Sequence, residues 1–92
     1  MRRLRIPAAV AERIRGLHPE IKCKVRAALK AVLEDPRAGK VLKDELEGLR
    51  SYRIGRYRVI YRIGRQGVIE VVAVGPRQRI YEETYRLLRR RG

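Results

Sequence analysis

The sequence predicts an α+β domain, in which a two-helix N-terminal hairpin packs on a small, mainly antiparallel sheet and a C-terminal helix completes the fold. Three observations predict this arrangement. Apolar residues recur at helical spacing in two segments near the N-terminus. Three β-type runs follow one another between residues 49 and 81, separated by short turns. The last segment again has an apolar helical stripe. A chain of 92 residues is expected to form one such domain, over residues 1–92.

The N-terminal segment begins with a short candidate strand at residues 2–6, expected at one edge of the sheet. Pro7 then opens the first helix, since proline favours the first helical turn. Val10, Ile14 and Leu17 share one face of that helix, which is therefore expected to pack on the core.

A second helix is predicted from about Glu20, and Asp35-Pro36 ends it because the residue before a proline is pushed out of the α region. Cys23, the only cysteine, is expected to be a small packing residue of this helix. One stripe of the helix is apolar: Ile21, Val25, Leu29, Val32 and Leu33. Residues 37–48 form a polar connection with room for a short turn of helix.

Two hairpins connect the three strands. Gly55-Arg56 is typical of a tight two-residue turn, and residues 64–67 form the second turn. Counting outward from the first turn pairs residues across the strands: Ile54 with Tyr57, Arg53 with Arg58, and Tyr52 with Val59. Like charges that oppose each other directly destabilise a sheet. An isolated pair would simply diverge into solvent, but further arginines extend the charge: Arg62, Arg77 and Arg79. This accumulation predicts a site for an anion.

Alternation along the strands predicts two faces of the sheet. The helical hairpin is expected to cover the first face: Tyr52, Ile54, Tyr57, Val59, Tyr61, Ile63, Val72 and Val74. The second face presents Arg53, Arg58 and Arg62 together with Ile60, Ile69, Val71 and Ala73. The apolar part of the second face needs a cover, and a C-terminal helical stripe can supply it: Ile80, Thr84, Leu87 and Leu88, before the basic end Arg89-Arg90-Arg91.

The charge balance indicates a polyanionic partner. The chain has 24 basic and 10 acidic residues, with a formal net charge of +14, and 19 of the basic residues are arginine. Excess positive charge favours nucleic acid through long-range attraction and counterion release. A thermophilic or GC-rich source would explain part of the arginine excess. The sequence contains neither an apolar run of membrane-span length nor a signal-peptide pattern, so we expect a cytoplasmic protein.

The residues available for catalysis are mainly arginine and tyrosine. His18, the only histidine, lies in the turn between the helices and is expected to be a solvated or capping residue. No cluster with metal-ligand spacing and no glycine-rich phosphate loop occurs, so neither a metal nor a cofactor is expected. Arginine and tyrosine suffice for phosphodiester chemistry, in which RNA is cleaved by its own 2′-hydroxyl.

Tyr81 is the candidate base for such a reaction. It lies four residues after Arg77, so a helix beginning near Arg77 places both side chains on one face. Cations nearby favour the ionised form of a phenol, which makes it a better base. A helix-anchoring aromatic residue is the alternative, and composition alone does not choose between them.

Three segments resemble the RelE/ParE superfamily of small bacterial and archaeal toxins: Leu46-Glu47-Gly48-Leu49 with Tyr52-Arg53-Ile54, residues 55–61 (GRYRVIY), and residues 74–81 (VGPRQRIY). The resemblance covers nearly the whole chain and implies a RelE-like fold. It also implies one of two activities. RelE-type members cleave mRNA in the ribosomal A site without a metal and are held inactive by a cognate antitoxin, whereas ParE-type members inhibit DNA gyrase.

The resemblance also implies residue roles. Arg58, Arg77 and Tyr81 match catalytic positions of RelE-type toxins, and Arg53, Arg56 and Arg79 are expected to bind RNA. RelE-type toxins often have two lysines on the second strand, one of them a proposed base, where this chain has Arg53 and Gly55. Proton abstraction would then rest on Tyr81 or on substrate-assisted chemistry.

We therefore expect a ribosome-dependent, metal-free endoribonuclease, the toxin of a toxin–antitoxin pair. Its partners would be an antitoxin protein, mRNA and the ribosome. A ParE-like gyrase inhibitor and an inactive RNA-binding relative are the alternatives.

Overall fold

The computed structural model describes the backbone of residues 2–91 and the side chains of residues 2–90. Its helices and strands follow in chain order: β1 (Arg3–Arg5), α1 (Ala8–Arg15), α2 (Pro19–Glu34), β2 (Lys40–Val41), β3 (Arg50–Ile54), β4 (Tyr57–Ile63), β5 (Val68–Pro76) and α3 (Arg77–Arg91). The predicted α+β fold is confirmed. Residues 1 and 92, at the ends of the predicted domain, lie outside the described residues. No helix in the described part of the chain is long and apolar enough to span a membrane.

One five-stranded sheet organises the molecule, in the order β1-β5-β4-β3-β2. Strand β1 runs parallel to β5, and the other neighbours are antiparallel. The predicted register of the first hairpin is confirmed, with Arg53 opposite Arg58. Gly55 has a φ of 56°, which places it in the left-handed region that a tight primed turn requires at its first position.

Helices cover both faces of the sheet. Val10 of α1 and Val25 and Leu29 of α2 pack with Val59 and Val74 on one face. On the other face, α3 packs through its predicted stripe: Ile80 and Thr84 are fully buried, and Leu88 contacts the same cluster. The first turn of α2 is capped by His18, whose Nδ1 accepts from the Glu20 amide at 3.2 Å, so its predicted capping role is confirmed.

The predicted division of the two faces was wrong along β5. Ile60 pairs with Ala73 but Tyr61 pairs with Val71, so Val72 is an extra residue in a β-bulge. The bulge moves Val72 to the side of α3, and it moves Val71 and Ile69 to the side of α1 and α2. A single extra residue reverses the face of every side chain beyond it, because side chains alternate with period two.

Three other features differ from expectation. The polar connection contains two short helical turns, Pro36–Ala38 and Asp44–Leu46, where one was predicted, and an unpredicted edge strand, β2. Cys23 is exposed on α2, so its interpretation as a packing residue was wrong. Ile63 lies near the end of the sheet and is 42% exposed, so it is no part of the core.

Candidate active site

The site forms where the first hairpin meets the start of α3. The amide of Arg77, the first residue of α3, donates to the carbonyl of Arg56 in the hairpin turn at 2.7 Å. This bond holds the N-terminus of the helix against the turn. The first turn of α3 has no acidic residue. An arginine at the positive end of a helix is electrostatically unfavourable unless an anion is bound there.

An open cavity of about 570 Å³ lies beside this junction, and we call it the reaction pocket. Four of its lining side chains are cationic and none is a carboxylate. It is lined by Ala38, Lys40, Ser51, Tyr52, Arg53, Arg58, Arg77 and Tyr81. The pocket therefore concentrates positive charge with no internal counterion, which suits a phosphate group.

Arg58 is the most constrained of these cations. Its side chain is buried, with the residue 8% exposed, and its Nη1 donates to the carbonyls of Gly55 at 3.3 Å and Tyr57 at 3.1 Å. Among the described side chains, no carboxylate forms an ion pair with it. A buried charge is costly unless a charge of opposite sign accompanies it. The turn carbonyls thus fix a guanidinium that a bound phosphate would neutralise.

Tyr81 reaches the pocket from α3 and contacts the sheet through its hydroxyl. The Tyr81 hydroxyl lies 3.2 Å from the Oγ of Ser51 on β3. Its ring also packs against the apolar cluster that includes Leu49 and Ile80. Both interpretations of Tyr81 from the sequence are therefore compatible with its position: its ring packs against the apolar cluster while its hydroxyl faces the pocket.

Lys40 is a pocket residue that sequence reasoning missed, and a buried tyrosine holds the loop before it. The Tyr61 hydroxyl donates to the Pro36 carbonyl at 2.6 Å and accepts from the Gly39 amide at 2.9 Å. Burial raises the pKa of Tyr61 above its ordinary value. Arg50 Nη1 donates to the Gly39 carbonyl at 3.0 Å. A Cβ at position 39 would lie 2.5 Å from the Tyr61 hydroxyl, so this close approach requires glycine.

Ser51 was also missed as a pocket residue. It pairs directly with Lys40 across β2 and β3, so one short ladder positions both side chains. The only local signal for Lys40 was its place in a polar connection, and a two-residue strand has too few residues to show alternation. Its pairing with β3 is visible only in the folded chain.

The structure brings together four of the six predicted site residues: Arg53, Arg58, Arg77 and Tyr81 line the reaction pocket. Arg56 lines an adjoining cavity, and Arg79 is exposed and lines neither. Arg62 does not extend the site, contrary to expectation, because it forms an ion pair with Glu70 towards the opposite end of β4.

The described residues contain no group of three or more His, Cys, Asp or Glu side chains that could hold a metal ion. The functional groups among the lining residues are guanidinium and ammonium cations, the phenols of Tyr52 and Tyr81, and the aliphatic hydroxyl of Ser51. Such a set can bind a phosphate, stabilise added negative charge on it, and exchange protons with neighbouring oxygens.

Comparisons with known proteins identify the fold and the family of the chain. Residues 5–81 match the family described as the ParE toxin of the type II toxin–antitoxin system, parDE. Comparison with curated protein sequences gives no match. A RelBE toxin–antitoxin complex from Mycobacterium tuberculosis contains a chain that is 30% identical, with a TM-score of 0.72, over 80% of this chain and 95% of that one.

Two further solved structures are similar. The RelE–RelB complex of the archaeon Pyrococcus horikoshii is 26% identical, with a TM-score of 0.68, over 85% of this chain and 97% of that one. A mutant of Escherichia coli RelE in the free state is 21% identical, with a TM-score of 0.75, over 96% of this chain and 94% of that one. The fold is thus that of RelE-type toxins. The chain belongs to the ParE toxin family of type II toxin–antitoxin systems, within the RelE/ParE superfamily that its motifs indicated.

Proposed function

We propose that this toxin is a ribosome-dependent endoribonuclease that cleaves mRNA in the A site without a metal ion. One observation supports this most directly: the reaction pocket combines four cations, two phenols and an aliphatic hydroxyl, with no carboxylate among its lining residues. A surface that only bound a protein partner would have no need to bury an arginine without a counterion. A site that handles a phosphate in its transition state has that need.

The cleavage would proceed by attack of the RNA 2′-hydroxyl oxygen on the adjacent phosphorus. The P–O5′ bond breaks, and the products are a 2′,3′-cyclic phosphate and a 5′-hydroxyl. A base takes the proton of the 2′-hydroxyl, and an acid gives a proton to the departing 5′-oxygen. The phosphorane between these steps has an additional negative charge, which preorganised cations stabilise.

The pocket residues divide these tasks. Arg58, held by the turn carbonyls, and Arg77, at the start of α3, stabilise the charge of the phosphorane. Tyr81 acts as the base, and its contact with Ser51 orients its oxygen. Lys40 is the proton donor to the 5′-oxygen, because a lysine side chain offers N–H protons and no acceptor atom. With these roles the reaction does not require the second-strand lysine that RelE-type toxins often have where this chain has Gly55.

Outside these roles, Arg53, Arg56 and Arg79 bind the RNA backbone and position the cleaved phosphate. Arginine suits this task because its planar guanidinium can donate two parallel hydrogen bonds to one phosphate.

A reconstituted translation reaction tests the activity. Purified toxin is added to ribosomes stalled on a defined mRNA, and both ends of each fragment are mapped and chemically identified. We expect cleavage within the A-site codon, with cyclic-phosphate and 5′-hydroxyl ends. Intact mRNA under these conditions, with growth arrest by the same protein in cells, would refute the proposal.

Gyrase inhibition is the second candidate function, and the family match to ParE toxins favours it. Supercoiling of relaxed plasmid by purified gyrase distinguishes the two, because only a gyrase inhibitor should reduce it. RNA binding without either activity would indicate the third alternative, an inactive RNA-binding relative.

The partner that controls the toxin is proposed to be a cognate antitoxin protein. The similar structures from M. tuberculosis and P. horikoshii are toxin–antitoxin and RelE–RelB complexes. For this chain we propose that an acidic antitoxin segment competes for the α3 side of the sheet or neutralises the arginines of the pocket. Hydrogen exchange with and without the antitoxin tests this, since unchanged protection throughout residues 49–91 would refute both modes. A ribosomal target would place the toxin in the cytoplasm.

A further inference from the structure

A second cavity, of about 600 Å³, lies at the tip of the first hairpin, and we call it the turn cavity. It adjoins the reaction pocket, because Arg53 and Arg77 line both. A polymer with one phosphate in the reaction pocket can therefore extend into the turn cavity. The arginines of the cavity already have proposed roles, but its other lining residues have none.

The wall of the turn cavity has no side chain at position 55. Gly55 lines it, and a Cβ built on Gly55 would meet no atom within 4 Å. The left-handed φ of 56° at this residue favours glycine for the turn itself. The same residue thus makes the turn and leaves the cavity empty where a side chain would otherwise stand.

The groups around the cavity suit a nucleotide. The half-buried ring of Tyr57 and the ring of Pro76 supply flat apolar surfaces, and Arg56 is exposed beside them. Among the hydrogen bonds of the described residues, none involves the Tyr57 hydroxyl, so its ring is not tied to another part of the fold. Nucleobases stack on aromatic rings, and arginines bind the phosphates between them.

We propose that the turn cavity binds the nucleotide next to the cleaved phosphate, with its base stacked on Tyr57 and its own phosphate bound by Arg56. This inference rests on the proposed function, since it takes the reaction pocket as the site of the cleaved phosphate. It assigns the ligand class as single-stranded RNA and makes Tyr57 a residue that stacks on the base at one position, whichever base that is.

The test measures binding of a short RNA that cannot be cleaved because every 2′-hydroxyl is methylated. Each base is removed in turn to leave an abasic position, and the dissociation constant is measured at low ionic strength. For the wild-type protein we expect one abasic position to weaken binding by about 5- to 150-fold, the loss of one stacked base. The other positions should matter less.

Substitutions in the turn cavity test whether the base at the sensitive position binds there. Tyr57→Leu should remove the dependence on that base, whereas Tyr57→Phe, which keeps the ring, should retain it. Gly55→Asn should weaken binding at the same position by narrowing the cavity, since asparagine tolerates a positive φ better than most residues. The Asn variant leaves Tyr57 in place, so it tests the cavity even if Tyr57→Leu is unstable.

Three results would overturn the inference: no binding of the RNA at low ionic strength, equal effects at every abasic position, or an unchanged position dependence in both Tyr57→Leu and Gly55→Asn. Failure of the proposed function gives a different result. If wild-type protein never cleaves ribosome-bound mRNA but retains the Tyr57-dependent base position, the turn cavity stands and the endoribonuclease assignment falls.

Discussion

The hydroxyl groups of Tyr81 and Ser51 lie 3.2 Å apart, although the two residues are 30 positions apart in the chain. This contact joins α3 to the inner strand β3 at the edge of the reaction pocket. It restricts the orientation of a phenol that would otherwise be held only by ring packing. A base that is to accept a proton in a defined direction benefits from such restriction.

Replacement of Tyr81 by Phe tests the proposed base. The variant keeps the ring and its packing against the apolar cluster that includes Leu49 and Ile80 but loses the ionisable hydroxyl. We expect cleavage of ribosome-bound mRNA to fall by roughly 10²–10⁴-fold, the usual contribution of a general base. Ser51→Ala should reduce the cleavage rate less, by about tenfold, because it removes only a hydrogen bond that orients Tyr81. Full activity in Tyr81→Phe would leave the ring as a packing residue and remove the phenol from the mechanism.

Lys40→Gln should slow cleavage because it removes the proposed proton donor. The measurement compares a normal substrate with one that has sulfur in place of the bridging 5′-oxygen, since a thiolate leaves without protonation. We expect the cleavage rate of the variant to fall by about 10²-fold or more on the normal substrate and to change little on the substrate with the 5′-sulfur. Lys43→Gln, on the same connection but outside the reaction pocket, is the matched control. An equal loss on both substrates would assign Lys40 to phosphate binding instead.

Arg77→Ala is expected to reduce cleavage by about 10²–10³-fold, the cost of one preorganised charge-stabilising group. The fold should survive, because Arg77 is exposed and its structural hydrogen bond uses the main chain. Arg86→Ala removes the same charge from the same helix, but Arg86 is paired with Glu82 and lies outside both cavities. Single-turnover rates for the two variants, with circular dichroism to confirm folding, separate transition-state stabilisation from general charge. Equal losses would contradict a specific role for Arg77.

The salt dependence of RNA binding should report how many arginines contact phosphates. Replacement of Arg53 or Arg56 by Gln should make the negative slope of log K against log[salt] shallower, by about 0.7 for each lost contact with single-stranded RNA. Arg15→Gln is the control, since Arg15 is exposed on α1 and paired with Glu12. Isothermal titration over a range of salt concentrations gives these slopes. Affinity that is independent of salt would contradict phosphate binding at this surface.

Gly39→Ala is expected to destabilise the protein by about 1–3 kcal/mol, the usual cost of forcing extra volume into a packed site. The new Cβ would lie 2.5 Å from the Tyr61 hydroxyl and 2.8 Å from a ring carbon. Because the ring carbon remains in Tyr61→Phe, that second change should not rescue the first. Urea unfolding of the single and double variants gives the comparison. Wild-type stability in Gly39→Ala would show that the loop can move, and that Lys40 is less firmly held than its contacts indicate.

The residues near the hairpin turn were predictable from sequence because their geometry is local. A glycine followed by one residue leaves little freedom in a two-residue turn, so Arg53 and Arg58 had to face each other. The spacing of Arg77 and Tyr81 was equally local, since one helical turn relates residues four positions apart. The motif resemblance supported the same residues and the family.

The tertiary structure alone decided the remaining features of the site. The bulge at Val72 changes which face of the sheet the side chains of β5 point to. The position of the bulge depends on how α3 packs on one face and α2 on the other. Tyr61 and Gly39 lie 22 positions apart, and their contact positions the loop that brings Lys40 to the pocket. Such contacts form only when the sheet assembles, because their energy comes from burial and pairing between distant segments. Periodicity and turn chemistry describe neighbours along the chain, so they identified the arginines and Tyr81 but neither Lys40 nor the bond that orients Tyr81.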